Sequence, residues 1–248
     1  MTSRPTEVDR PTFYALRPGG WRDLVTVLHP PYTAWNLATV ALGAAVAPTF
    51  HAWRVGATMG AFFLAVGVSA HALDELHGRP LQTELRERTL VVLATIGLAG
   101  AVAIGVATAI VVSPLLIPLI VFGGLFVPAY NLELAGGRFH SDFWLAVGWG
   151  GFSAFTGYFV NALSIRPAGL LVSAACCFFL LAQRRLSTPV RELRRRTVEV
   201  SGQQRLSDGT VIELTRERLV APLDGALSVL WVAFVILATG LVVFRLSG

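Results

Sequence analysis

From Thr89 to Leu132 the chain runs for 44 residues without a charged side chain. A helix needs about 20 apolar residues to cross the hydrocarbon core of a bilayer. This run is therefore too long for one crossing and too apolar to sit in water. Ser113-Pro114 divides it, because proline cannot donate the backbone hydrogen bond that would continue a helix. The division gives spans of about 89–112 and 115–130. Further apolar runs place spans at about 32–50, 55–73, 143–165, 167–183 and 223–244. With 54% of the 248 residues hydrophobic and 14% charged, the composition lies far from that of a soluble globular domain. The expected fold is an all-α transmembrane bundle of about seven spans. No apolar stretch before residue 32 has the length of a cleaved leader, so the N-terminus is expected to remain on the chain.

The net charge of +5 comes from arginine, since the chain has no lysine. Nucleic acid is not the expected partner, because the arginines follow a membrane topology instead. With seven spans and a cytoplasmic N-terminus, 17 of the 20 arginines and all 15 acidic residues fall on the cytoplasmic side. That asymmetry satisfies the positive-inside rule and points to the cell's inner (plasma) membrane. Four stretches follow. Residues 1–31 form a polar arm and a short interfacial helix anchored by Trp21, and 32–183 form a six-span bundle. Residues 184–222 form a basic cytoplasmic loop, and 223–248 carry the seventh span. Within the loop, Ser187-Thr188-Pro189 is a helix-start signal. Thr197–Val200 and Thr210–Leu214 alternate apolar and polar residues around Ser207-Asp208-Gly209, the pattern of a small β-hairpin. Gly97, Gly100 and Gly105 are expected to allow close helix packing rather than phosphate binding. The adjacent Cys176 and Cys177 are expected to be small buried hydrophobes, not a redox pair.

The chemistry concentrates at the end of the second span, in His71-Ala72-Leu73-Asp74-Glu75-Leu76-His77-Gly78-Arg79-Pro80. On a helix, His71, Asp74 and Glu75 stand at i, i+3 and i+4 and share one face. Arg79 follows one turn later, in the extended X-Pro segment that closes the helix. Carboxylates, imidazoles and a guanidinium at one helix mouth suit a cation or an anionic headgroup, while a solvated helix cap is the plain alternative. Asn36, early in the first span, needs a protein partner, because an unpaired amide is costly in hydrocarbon. Between the fourth and fifth spans, a glycine-hinged loop sets Glu133, Arg138, His140 and Asp142 beside Tyr130.

The order of these features resembles the UbiA-type intramembrane prenyltransferase superfamily. His29-Pro30-Pro31-Tyr32-Thr33 ahead of Leu42-Gly43-Ala44 is similar to that family's approach to its first helix. The polar end of the second span with Arg79-Pro80-Leu81 is similar to its first Asp-rich motif and downstream Arg-Pro-Leu. The Tyr130 loop stands where the family has a tyrosine-and-basic loop. The resemblance implies an isoprenoid diphosphate as ligand in the membrane, Mg²⁺ held by Asp74 and Glu75, and alkyl transfer or cyclisation. It implies Asp74, Glu75, Tyr130 and Asp142 as catalytic groups. His71, Arg79, Asn36, Arg138, Gln183 and Arg191 would then contact substrate. The chain also departs from the family. His71, Glu75 and Arg79 replace the first Asn/Asp repeat, and Gln183, Ser187 and Arg191 stand where a second Asp-rich motif belongs. Arginine can bind phosphate in place of a metal, so Arg79 and Arg191 are candidate diphosphate clamps. Two functions follow as alternatives: a divergent enzyme of that kind, or a non-catalytic subunit that binds lipid or a membrane partner protein. A transporter is disfavoured, because no charge lies near the middle of a span.

Overall fold

The computed structural model describes residues 10–247. The chain is almost wholly helical. A short α1 (Trp21–Val27) precedes α2 (Pro30–Ala45), α3 (Ala52–Leu76), α4 (Glu87–Val112) and α5 (Pro114–Asn131). Then come α6 (142–162), α7 (Pro167–Arg195) and α8 (Arg216–Ser247). By length and composition α3, α4, α5, α7 and α8 are able to cross a membrane, which fits a multi-pass membrane protein. Their outer faces are apolar and bare: on α4, Ile96, Ile110 and Val111 are all exposed.

The two remaining helices, α2 and α6, lie at the centre. α2 begins with Pro30 and Pro31 in its first turn, where the missing N–H groups would be unpaired in any case. Most of its residues are buried, from Pro31 to Ala45. It touches α6 backbone to backbone. A Cβ on Gly43 would lie 1.8 Å from the Ala154 carbonyl oxygen, and one on Gly157 would lie 2.1 Å from that of Val40. Only glycine permits this approach at either point. Asn36 bridges the same two helices, donating to the Trp149 carbonyl at 3.0 Å and to Ser153 Oγ at 2.9 Å. On its other side α2 meets α8, with Trp35 stacked on Phe234 at 4.1 Å. The glycines of α4 also serve packing. A Cβ on Gly97 would sit 2.8 Å from the Leu64 carbonyl oxygen, and one on Gly100 2.9 Å from the Leu64 side chain. Cys176 is buried and both cysteines are free.

Three local expectations are corrected. Ser187-Thr188-Pro189 does not start a new helix, since α7 runs through it to Arg195 with Pro189 inside. The Ser187 and Thr188 hydroxyls donate to the Arg184 carbonyl, a back-bonding that bends a helix without ending it. The hairpin exists, but its strands are β1 (Gln203–Arg205) and β2 (Val211–Glu213), with Arg205 opposite Val211. The tight turn at 206–210, in which Leu206 N–H bonds to the Thr210 carbonyl, forces the strands to flank it directly. Residues 197–200 are therefore left out of the ladder. The polar arm is only partly described, since residues 1–9 lie outside the described residues. Its remainder packs on the bundle: Ala15 is buried, Phe13 joins Val190, Val220 and Leu227, and Leu16 N–H donates to Thr26 Oγ1.

The α2–α6 contact gives a direct test. Gly157→Val should lower stability by about 3 kcal/mol or abolish folding, the upper range for overpacking a close-packed site. Gly225→Ala, where a Cβ would meet nothing within 4 Å, should leave the thermal unfolding midpoint in detergent unchanged.

Candidate functional site

At the end of the bundle where α2 and α6 begin and α3 and α5 finish, the helices enclose a cavity of about 230 Å³. Tyr14 comes to its wall from the arm, and His29, Tyr32, Trp35 and Asn36 come from the start of α2. His71 and Asp74 come from α3, Tyr130 from α5, and His140 and Trp149 from the loop and α6. Gln183, Arg184, Arg191 and Arg195 descend from α7, and Asp224 and Trp231 from α8. The spacing of the three arginines by seven and then four residues puts them on one face of α7. They reach the cavity because α7 continues past Pro189.

The local structure that aims His29 is strained. Its backbone is left-handed, with φ of 45°, immediately before a proline. That conformation costs on the order of 1–3 kcal/mol for a non-glycine residue and persists only where the surroundings enforce it. Here Tyr14 Oη lies 2.7 Å from His29 Nδ1, and the His71 ring stacks on the other face at 4.2 Å. Burial, then the neighbouring His71 ring, holds the His29 imidazole well below its ordinary range, so it is neutral at pH 7. Burial likewise pushes the Tyr14 hydroxyl well above its ordinary value, with the nearby Tyr32 adding to the shift. Opposite them Tyr130 is buried, stacked with His140 at 4.7 Å and set edge-on to Trp149 at 5.5 Å.

The wall is full of unpaired polar atoms. Thr12 Oγ1, His29 Nε2, Trp35 Nε1, Asn36 Oδ1, His71 Nδ1, Gln183 Oε1, Asp224 Oδ1 and Trp231 Nε1 are buried without a hydrogen-bond partner, and all eight belong to residues lining this cavity. Each such atom forfeits about 1–3 kcal/mol if it stays unmatched. Asp74 lines the cavity too, and among the described residues its carboxylate makes no hydrogen bond or ion pair. Donors, acceptors and three guanidinium groups thus converge on one half-open space walled by aromatic rings.

The residues expected to act together are divided. Asp74, His71, Tyr130, Asn36, Gln183 and Arg191 share the cavity. Glu75 does not, which corrects the expected pairing of Asp74 with Glu75. Successive residues on a helix point about 100° apart. Glu75 turns to the 79–83 loop, where it is fully buried. Its carboxylate accepts from Leu81 N–H, Thr83 N–H and Thr83 Oγ1 at 2.8–2.9 Å. Arg79 is likewise occupied, donating to the Leu85 carbonyl at 2.6 Å and to that of Thr83 at 3.4 Å, and it does not line the cavity. Asp142 sits at the rim, paired with Arg184 at 3.0 Å. Arg138 is exposed on the loop and away from the wall.

A Mg²⁺ site built on Asp74 and Glu75 does not fit these residues, because Glu75 is held by three loop bonds and turned away from the cavity that Asp74 lines. Among the described residues no group of three or more His, Cys, Asp or Glu is placed to hold a metal ion. Arg184, Arg195, His29, Trp149 and Trp231 were not singled out as site residues from the sequence. The arginines carry a legible signal, the 184-191-195 spacing, once α7 is read as continuous. Nothing near Trp149 announces it. Compared with known protein families, characterised proteins and solved structures, the chain matches none.

The division of labour between adjacent residues is testable. Glu75→Ala leaves two buried backbone donors and a hydroxyl unmatched, and it should lower stability by about 3 kcal/mol. Ligand binding per folded molecule should be unchanged. Asp74→Asn should do the reverse, with an unfolding midpoint close to wild type and altered ligand affinity in calorimetric titration.

Proposed function

We propose that this protein is a membrane protein that binds an isoprenoid diphosphate, and that it acts on this ligand in the manner of the UbiA-type enzymes it resembles. The observation that carries this reading is the composition of the vestibule cavity. Arg184, Arg191 and Arg195 line it from a single helix face, beside Tyr14, Tyr32, Trp35, Tyr130 and Trp149. Guanidinium groups bind phosphate oxygens through paired, charge-assisted hydrogen bonds, and aromatic walls suit an unsaturated hydrocarbon chain. A ligand with a diphosphate head and an apolar tail matches both. The arginine-rich end faces the cytoplasm of the inner membrane, in a topology of seven spans that adds α2 and α6 to the five helices able to cross by length and composition. The distribution of arginine supports that orientation.

In the catalytic form of this reading, the allylic C–O bond breaks and its electron pair leaves with the diphosphate. Arginine neutralises the developing charge where the family uses metal. An acceptor's electron pair then takes the allylic carbon, and the proton it releases passes to Asp74, the unpaired carboxylate of the wall. A second reading, a non-catalytic lipid-binding subunit, is favoured by one specific observation. Glu75 and Arg79, which match the family's first motif in position, are both spent on holding a loop.

Farnesyl diphosphate should bind in excess EDTA. Arg191→Ala and Arg195→Ala should each weaken that binding by about ten- to a hundred-fold, the equivalent of one or two charged hydrogen bonds. Binding that disappears in EDTA, or that ignores both substitutions, contradicts the arginine site. Release of pyrophosphate separates enzyme from subunit: its production at a rate that falls in Asp74→Asn selects the transferase, and tight binding without release selects the subunit.

A further inference from the structure

Behind the vestibule lies a second cavity, of about 100 Å³, between α3, α4, α5 and α6. Its lining contains no charged residue. The hydroxyls of Thr58, Thr108 and Thr156 on its wall are already spent on carbonyls of their own helices. Such a space offers nothing to a polar group and everything to a hydrocarbon.

Val66 and Trp149 line both cavities, so they form the wall between them. Each belongs to a π-helical stretch, Val66 in Phe63–Ala70 and Trp149 in Ala146–Gly151. Such wide turns inside α-helices are frequent at functional sites. Gly148 lets the backbone close on Phe126, whose ring carbon would lie 2.0 Å from any Cβ there. The Trp149 ring then stands between Phe126 of the apolar cavity, at 5.2 Å, and Tyr130 of the vestibule, at 5.5 Å. Its carbonyl is fixed by Asn36 and Ser153.

We infer that the apolar cavity is a tail subsite and that Trp149, with Val66, sets the length of isoprenoid chain the protein accepts. This rests on the vestibule binding a prenyl diphosphate. The diphosphate lies against the α7 arginines, the first isoprene units fill the vestibule, and the indole stops the chain. The closed wall makes wild type selective for short chains. Opening it adds room for on the order of one isoprene unit, judged against the roughly 150 Å³ that holds a benzene ring.

The test compares geranyl and geranylgeranyl diphosphate on the full-length protein in lipid nanodiscs, with affinities measured by native mass spectrometry. Trp149→Ala should raise the affinity for the longer chain relative to the shorter by at least about ten-fold, the equivalent of burying two methylenes. Val66→Ala should move the ratio in the same direction by a smaller factor, and it serves alone if Trp149→Ala does not fold. Leu125→Ala, on the exposed face of α5, should leave the ratio unchanged. If geranyl diphosphate binds in an arginine-dependent way but neither wall substitution changes the ratio, the tail subsite is refuted and the vestibule stands. If binding of the short chain does not depend on Arg191 and Arg195, the vestibule reading fails first and the tail subsite with it.

Discussion

The site depends on two helices touching through their backbones. In an apolar medium helices gain little from simply being hydrophobic, and close packing with shared hydrogen bonds must hold them instead. Gly43 against Ala154 and Gly157 against Val40 bring α2 and α6 to that distance, and Asn36 locks the pair by bonding to Trp149 and Ser153. The contact fixes where α2 begins, and so where His29, Tyr32 and Trp35 face. It also fixes the turn of α6 that carries Trp149. The other helices close around this pair and leave the vestibule at the end where most of the chain's ionisable groups collect.

At that end the charges divide into two kinds of work. Some are consumed in building. Glu75 and Arg79 tie down the 79–85 loop, Arg194 pairs with Asp224, and Asp142 pairs with Arg184 at the rim. Others line the cavity, and these are mostly basic or neutral: among the described residues Arg191 and Arg195 make only long bonds to Thr188 and the Pro11 carbonyl, and Arg184 keeps Asp142 as its partner. Guanidinium groups, a carboxylate and buried imidazole are a set suited to an anion, which is the basis of the proposed diphosphate site. On the proposed reading, the aromatic walls and the adjoining apolar cavity would take a hydrocarbon tail on that anion.

Much of this was legible in the sequence. Uncharged runs and Ser113-Pro114 located the helices, the glycines of α4 foretold its packing on α3, and a polar cluster closing α3 pointed to the right end of the bundle. Position along a helix was legible, but direction around it was not. Asp74 and Glu75 are adjacent and chemically alike, yet one faces the cavity and the other is captured by loop amides that lie 6 and 8 residues further along. Pro189 misled for a related reason: a proline removes one backbone bond, and α7 runs on through that loss to Arg195 because packing against its neighbours continues on either side. The π-helical turns that place Val66 and Trp149 arise from packing between distant segments, and no local spacing encodes them.

The central claim is that the vestibule holds the head of an anionic isoprenoid while its tail lies inside the bundle. Photo-crosslinking with a farnesyl diphosphate analogue that carries a diazirine on its terminal isoprene unit, followed by peptide mapping, tests it most directly. The account predicts labelling on α6 near Trp149 and on α3 near Val66, suppressed by excess farnesyl diphosphate. Labelling confined to the exposed faces of α4 and α8, unaffected by competitor, would contradict it.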